Sequence, residues 1–152
     1  MQKLDPYSYR TDPSVSEFDD SHPLIIFDGI CVLCSGGIGK MMKWDKGNKF
    51  RYATAQSKLG QALLNHYGCD TVVFDTILMV SNGRGYTKSG AYLEAAKELG
   101  GFWRLFMVFQ LIPACIRDPI YDWKARNRYK WFGKTEYCRL LPDEYANRII
   151  DR

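Results

Sequence analysis

Two cysteines separated by two residues, Cys31 and Cys34, are the residues whose type and spacing most clearly suggest chemistry in this sequence. They follow an apolar run, 24–27, that predicts a buried strand, and they open a segment, 31–44, with helical spacing of apolar residues. Cysteines at positions i and i+3 of a helix lie on one face, close enough for their sulfur atoms to bond. The pair is therefore predicted to interconvert between a dithiol and a disulfide.

The two cysteines are expected to play different roles. Cys31 would lie at the helix N-terminus, where the helix dipole and unpaired backbone N–H groups stabilise a thiolate, the nucleophilic form of cysteine. Cys34 lies one turn further along, where we expect it to be more buried and to attack a mixed disulfide formed on Cys31. The sequence thus predicts Cys31 as the attacking thiol and Cys34 as the resolving thiol.

A metal site is the alternative, because a Cys-x-x-Cys pair can also supply half of the ligands of a zinc ion. Zinc takes four protein ligands, or three and a water molecule. The remaining cysteines and the histidines are isolated in the sequence: Cys69, Cys115, Cys138, His22 and His66. Without a second close pair, redox chemistry is favoured, and a non-enzymatic zinc-binding or redox-sensing interaction module remains the second hypothesis.

Asp28 and Gly29 separate the predicted strand from the cysteines. An Asp-Gly pair after a strand is typical of a turn in which the carboxylate accepts hydrogen bonds from nearby backbone N–H groups. A carboxylate three residues before Cys31 could also accept or relay a proton during thiol exchange. An ionised Asp28 directed at Cys31 would raise the pKa of the thiol and so oppose its activation. The turn role is favoured, and the two roles are compatible.

The rest of the sequence predicts the elements that position the pair. The order is β-α-β-α-β-β-α, which indicates an α/β domain, followed by further C-terminal helices. We divide the chain into a flexible N-terminal arm, 1–23, and a single domain, 24–152. Strands are predicted at 24–27, 50–53, 77–80 and 86–88, a hairpin turn at 82–85, and helices at 31–44, 57–67, 90–99, 102–112, 119–131 and from Pro142.

Composition and charge exclude several classes of protein. The chain has 152 residues, 46% hydrophobic and 25% charged, which is typical of one globular domain and not of a disordered or fibrous protein. Its net charge is only +4, and the window 116–139, with seven basic and three acidic residues, accounts for all of it. The basic character is therefore a local patch.

Within this patch, basic and aromatic residues alternate over 121–132. We expect the aromatic rings to pack and the cations to extend into solvent, close enough to Cys31 to lower its pKa. Nucleic-acid binding is the less favoured alternative. The apolar run 105–109 is expected to be a core helix that covers the sheet, with an exposed docking surface for a membrane partner as the weaker option.

The sequence also bears on location. The N-terminus is polar and acidic and has no apolar run that would serve as a signal peptide. The most apolar stretch, 105–116, is shorter than the roughly 20 residues that a membrane span requires. We therefore expect a cytoplasmic protein without a membrane span, and closely spaced cysteines in a reducing compartment are typically catalytic or metal-binding.

The Asp28-x-x-Cys31-x-x-Cys34 pattern resembles that of the DCC family of predicted thiol-disulfide oxidoreductases, which is named for these residues. The resemblance extends over about 24–149. It implies a thioredoxin-like three-layer fold and thiol-disulfide oxidoreductase activity. We expect the protein to need no metal or organic cofactor, and an external thiol reductant to recycle the pair. The substrate would be a disulfide-containing protein or a small thiol such as glutathione. The stretches that agree are 50–52, 55–57, 88–91, 112–113, 117–121, 127–134 and Cys138.

The resemblance also suggests substrate-binding residues, among which we include Gly29. Thioredoxins place a cis-proline before the third strand, facing the cysteines, and here Thr76 is the candidate for that place. A trans peptide there would present the backbone to a substrate differently. In glutathione-binding relatives of the fold, a serine placed like Ser89 receives a carboxylate at a helix N-terminus. An ordinary helix N-cap is the favoured interpretation of Ser89.

Overall fold

The structure is a computed structural model that describes residues 4–72, 76–133 and 147–151. Strands and helices alternate in the first two-thirds of the chain, and helices follow. The elements are the 3-10 helix η1 (Ser8–Thr11), β1 (Leu24–Phe27), α1 (Val32–Trp44), β2 (Arg51–Thr54), α2 (Lys58–His66), β3 (Leu78–Ser81), β4 (Arg84–Thr87), α3 (Lys88–Leu99), the 3-10 helix η2 (Gly101–Leu111), α4 (Ala114–Phe132) and β5 (Ile149–Asp151).

The strands form one mixed sheet in the order β4-β3-β1-β2-β5. The central strand β1 pairs in parallel with β2 and antiparallel with β3. Strands β3 and β4 form the predicted hairpin, in which Asn82 and Gly83 both have positive φ, as the two-residue turn of a hairpin requires. The carboxyl end of β1 therefore delivers Asp28 and the cysteines from the middle of the sheet.

Both faces of the sheet are covered, which gives three layers. Alternate residues of a strand point to opposite faces, and β1 accordingly contributes to two hydrophobic clusters. Leu24 and Ile26 pack in the cluster that contains residues of α2. Ile25 and Phe27 pack in the cluster that contains residues of α1 and α3. The predicted α/β, thioredoxin-like architecture is confirmed.

The described part of the N-terminal arm, residues 4–23, packs against the domain. Tyr9 is only 2% exposed and belongs to the same hydrophobic cluster as α2. The backbone N–H of Tyr7 donates to the Gly83 carbonyl at 2.8 Å, and Asp12 contacts the His66 ring at 2.6 Å. These contacts attach the arm to the body, and its flexibility stays a prediction.

The C-terminal helices differ from the prediction. Helix α4 begins at Ala114 instead of near Pro119, which lies inside it, and Pro113 occupies the N-cap position. The predicted core helix at 105–109 is wrong, because η2 contains no buried residue. The physical reason is that α1, α3 and α2 already cover the two faces of the sheet, so η2 packs against α3 instead. The helix predicted from Pro142, and Cys138, lie outside the described residues.

None of the helices in the described part of the chain is both long enough and apolar enough to span a lipid bilayer.

Candidate active site

Cys31 occupies the N-cap of α1, as the sequence predicts. It follows β1 after a short turn, and its backbone is extended while the next residue is helical. Its Sγ accepts a hydrogen bond from the backbone N–H of Cys34 at 3.3 Å. One of the N–H groups that a helix leaves unpaired at its N-terminus is therefore directed at this sulfur atom. Both cysteines are free thiols, so the structure corresponds to the reduced pair.

The pKa values of the two thiols are displaced in opposite directions. The hydrogen bond with the Cys34 thiol lowers the pKa of Cys31 to about 6, and the Cys34 backbone N–H and the Arg128 guanidinium act in the same direction. Burial and the Asp28 carboxylate oppose this change. The same thiol–thiol hydrogen bond, together with burial, raises the pKa of Cys34 well above its usual range. The two thiols are thus polarised in opposite directions, with the pKa of Cys31 lowered and that of Cys34 raised.

The burial of the two cysteines is the reverse of the expectation. Cys31 is 0% exposed, whereas Cys34 is partly exposed. The expectation that Cys34 is the more buried is therefore wrong. The reason is that Cys31 lies close to the end of β1, whose four residues are all buried in the centre of the sheet. Cys31 is thus enclosed by neighbouring side chains, and Cys34 lies nearer the surface.

Asp28 is the centre of a buried hydrogen-bond network beside the pair. It is 3% exposed. One carboxylate oxygen, Oδ1, accepts from the Ile30 backbone N–H at 3.1 Å and from Gln56 Nε2 at 2.7 Å. The other, Oδ2, accepts from Arg128 Nη2 at 3.1 Å and from the Tyr129 hydroxyl. The bond to Ile30 confirms the predicted turn role, and the other three donors satisfy a charge that would be costly to bury alone.

Sequence reasoning missed Gln56, Arg128 and Tyr129 as individual site residues. The sequence did contain an indication of these three residues, because Gln56 and the 127–134 stretch are among the segments that resemble the DCC family. The expectation that the basic patch lies near Cys31 is confirmed for Arg128. Its guanidinium forms a buried ion pair with Asp28 and lowers the pKa of Cys31.

The candidate substrate-binding residues already have partners inside the protein. The Gly29 backbone N–H donates to Gln56 Oε1 at 3.0 Å. The Thr76 hydroxyl accepts from the Lys88 backbone N–H at 3.2 Å and so connects the start of β3 with the start of α3. Continuing the β1–β3 register by two residues places Thr76 opposite Asp28. Thr76 thus lies at the same end of the sheet as the cysteine pair, and its role in substrate binding stays a prediction.

Ser89 is not the N-cap of α3. The helix begins at Lys88, and Thr87 occupies the N-cap position. The predicted N-cap is therefore wrong, because the helix starts directly where β4 ends. The Ser89 hydroxyl donates to Asp118 Oδ1 of α4 at 2.6 Å. A glutathione carboxylate bound there would meet the like charge of Asp118, which disfavours it.

Helix α4 closes one side of the site with a polar face. In addition to the contacts of Arg128 and Tyr129 with Asp28, Asp122 forms an ion pair with Lys88 at 2.9 Å. The Tyr121 hydroxyl accepts from the Ile77 backbone N–H at 3.2 Å. Among the described residues, no group of three or more His, Cys, Asp or Glu side chains is placed to hold a metal ion.

Comparisons with known proteins agree with this arrangement. The model of the family described as DCC1-like thiol-disulfide oxidoreductase matches residues 25–134, which include Asp28, both cysteines and Arg128. The uncharacterized protein YuxK of Bacillus subtilis (strain 168) is 40% identical over 127 residues, which cover 84% of this chain and 93% of the relative. A chloroplastic DCC family protein of Arabidopsis thaliana is 34% identical over 123 residues, which cover 80% of this chain and 72% of the relative.

No solved structure is significantly similar to the chain. The family match extends over well more than half of the sequence. It includes the cysteine pair and helix α4, which carries the buried Arg128. The chain therefore belongs to the family of DCC1-like thiol-disulfide oxidoreductases.

Proposed function

We propose that this protein is a thiol-disulfide oxidoreductase in which Cys31 attacks and Cys34 resolves. The observation that carries the proposal is the polarised pair: Cys31 at the helix N-cap, with a pKa of about 6, hydrogen-bonded to a Cys34 thiol of raised pKa. Exchange requires a thiolate on one cysteine and a thiol held within reach of it on the other. This geometry meets both requirements at neutral pH.

In the first step, the Cys31 thiolate attacks one sulfur of a substrate disulfide. A bond forms between Cys31 Sγ and that sulfur, the substrate disulfide breaks, and the other substrate sulfur leaves as a thiolate. In the second step, Cys34 loses its proton and attacks Cys31 Sγ. The mixed disulfide breaks, the second substrate thiolate leaves, and the two electrons that reduced the substrate have come from the pair. An external thiol reductant then returns the Cys31–Cys34 disulfide to the dithiol.

Asp28 is proposed to take part in the second step. Its buried carboxylate raises the pKa of both cysteines, so it is electrostatically coupled to the pair. Cys34 must release a proton when it attacks, and a neighbouring carboxylate is a suitable acceptor. Asp28→Asn keeps the size of the side chain and removes the acceptor. We expect this variant to slow resolution of the mixed disulfide more than its formation, as rapid-quench sampling would show.

The substrate class that fits is a disulfide-containing protein or a small disulfide, with a small thiol such as glutathione among the possible reductants. Asp118 beside Ser89 disfavours a carboxylate ligand at that point. A comparison of glutathione with a neutral thiol such as mercaptoethanol as reductant tests this directly. Location in the cytoplasm is part of the proposal, since a reducing compartment would supply the recycling thiol.

Trapping tests the proposal most simply. Cys34→Ser should accumulate a mixed disulfide between Cys31 and its substrate, because the resolving thiol is absent, and the wild type should reduce a model disulfide. Cys31→Ser should do neither. Cys115→Ser, which alters an exposed free cysteine away from the pair, is the matched control and should behave as the wild type.

Two results would overturn the proposal. One is a Cys34→Ser protein that captures nothing from a lysate, together with a wild type that leaves the model disulfide intact. The other is stoichiometric zinc in protein purified under reducing conditions that is lost in Cys31→Ser, which would support the zinc-binding module instead.

A further inference from the structure

Helix α4 has its polar face turned inward and its apolar face turned outward. The inner face carries the contacts to the domain described above, made by residues at positions 118, 121, 122, 128 and 129. These positions recur at intervals of three, four or seven residues, so they form one side of the helix. This is the reverse of an ordinary surface helix, which buries its apolar side.

The opposite side of α4 carries an apolar stripe. Its members are spaced by four, three and eight residues and so align along one face of the helix. They are between 49% and 64% exposed, and two of them form an edge-to-face aromatic pair with ring centroids 5.2 Å apart. We call this set the outer stripe: Ile116, Ile120, Trp123 and Trp131.

The preceding helix, η2, has an apolar stripe as well. In a 3-10 helix, side chains three residues apart lie above one another. The residues of η2 on one such line are all apolar and are between 58% and 83% exposed. They are Phe102, Leu105, Val108 and Leu111. The neighbouring line, with Trp103, Phe106 and Phe109, is a stack of aromatic rings. In the part of the chain that the structure describes, two successive helices thus expose apolar stripes to solvent.

The charged residues around this apolar surface indicate which kind of partner it binds. The exposed cations Lys124 and Lys130 flank the outer stripe on either side, and Arg126 lies next to Lys130 on the helix surface. The two acidic residues of α4, Asp118 and Asp122, are both directed inward to Ser89 and Lys88. A second copy of the chain would bring like charges together across the interface, whereas anionic lipid headgroups would complement them.

We propose that the outer stripe of α4, together with the exposed side of η2, binds the surface of an anionic lipid bilayer. Tryptophan and aliphatic side chains enter the headgroup region, and flanking lysine and arginine side chains contact the lipid phosphates. The helix lies in the plane of the interface and does not cross the bilayer. The inner face of the same helix contacts Asp28, so docking holds the cysteine pair close to the membrane surface. This inference does not depend on the proposed redox activity.

Vesicle flotation with the full chain tests the proposal. We expect the protein to float with phosphatidylcholine vesicles that contain phosphatidylglycerol and not with phosphatidylcholine alone, and added salt should release it. Ile120→Ser and Trp123→Ser should each lose most of the binding. The matched control is Val72→Ser, which alters an apolar residue that is 82% exposed outside α4 and η2 and should bind as the wild type.

Charge reversal tests the basic residues that flank the outer stripe. Lys124→Glu should weaken binding to anionic vesicles about fivefold or more, since each cation near an anionic surface contributes on the order of 1 kcal/mol. Lys58→Glu makes the same change at an exposed lysine of α2 and should have a much smaller effect. Cys31→Ser should float as the wild type, which separates this proposal from the redox one.

Three outcomes would overturn the proposal. The first is wild-type protein, with a native circular dichroism spectrum, that does not float with anionic vesicles. The second is Ile120→Ser and Trp123→Ser proteins that float as the wild type does. The third is a wild-type dimer in light scattering that Trp123→Ser converts to a monomer without any vesicle binding, which would assign the surface to a second copy of the chain.

Discussion

Each end of α1 carries a buried pair of an aspartate and an arginine, and the two pairs have different roles. At the N-terminal end, Asp28 pairs with Arg128, and at the C-terminal end, Asp45 pairs with Arg148. All four residues are at most 4% exposed. In each pair the arginine comes from the C-terminal third of the chain, so each pair connects a distant segment to the same helix.

The pairs differ in what else they contact. Asp45 also accepts hydrogen bonds from the backbone N–H groups of Lys49 and Phe50, and Arg148 donates to the Met42 carbonyl in the last turn of α1. This pair therefore ends the helix, and its cation complements the helix dipole. Asp28 instead receives side-chain donors beside two thiols. The same chemical pair thus supports the backbone at one end and lies beside the cysteine pair at the other, where Arg128 lowers the pKa of Cys31 and Asp28 raises it.

Breaking either pair should have the largest effect on stability. Arg148→Met and Arg128→Met each leave a buried carboxylate without its cation, and we expect each to lower the free energy of unfolding by about 3–5 kcal/mol. Urea unfolding of the reduced proteins measures this. Arg126→Met alters an exposed arginine of α4 and should change the stability by less than about 0.5 kcal/mol. A loss below about 1 kcal/mol in both buried variants would show that neither pair is needed.

Removing a single donor to Asp28 should have an intermediate effect. Tyr129→Phe deletes a hydroxyl that donates to Oδ2 and leaves the ion pair with Arg128 in place. A hydrogen bond to a charged group contributes about 1.5–3 kcal/mol, and the loss of unfolding free energy should lie in that range. Calorimetry of the reduced variant checks it. A variant as stable as the wild type would indicate that the hydroxyl does not bind the carboxylate.

The two aspartate–arginine pairs should differ in their effect on the pKa of Cys31. Arg128 lowers this pKa, so Arg128→Met should raise it toward the ordinary value of a thiol. Arg148→Met should leave it unchanged, because Arg148 pairs with Asp45 at the opposite end of α1 from Cys31. The pH dependence of alkylation, followed at Cys31 by peptide mass spectrometry, measures both. Equal shifts in the two variants would contradict the division of roles.

The smallest effect concerns the pH dependence of stability. The pKa of Cys31 is lowered in the folded state, so its contribution is present above the unfolded pKa, about 8.5, and is lost as the pH falls through about 6. The stability of the reduced wild type relative to Cys31→Ser should therefore decrease between about pH 8.5 and pH 6. Urea unfolding across this window measures the difference, and a difference that is constant with pH would contradict it.

The sequence predicted the parts of the site that local rules determine. An apolar run, an Asp-Gly turn and helical spacing placed Cys31 at the start of a helix, because these signals act over a few residues. The contact between Asp28 and Arg128 joins residues 100 positions apart, and no local rule applied to either segment specifies it. The burial of η2 was wrongly predicted for a related reason: apolar composition indicates a tendency to be covered, and not whether the sheet still has an open face.

The most direct test of the account is the titration of Cys31 in the reduced wild-type protein. Peptide mass spectrometry after brief alkylation at a series of pH values reports the thiolate fraction at Cys31 separately from the other cysteines. We expect half-maximal modification of Cys31 near pH 6, with Cys34 unmodified until much higher pH. A midpoint for Cys31 at or above about 8.5, the ordinary value for a cysteine thiol, would contradict it.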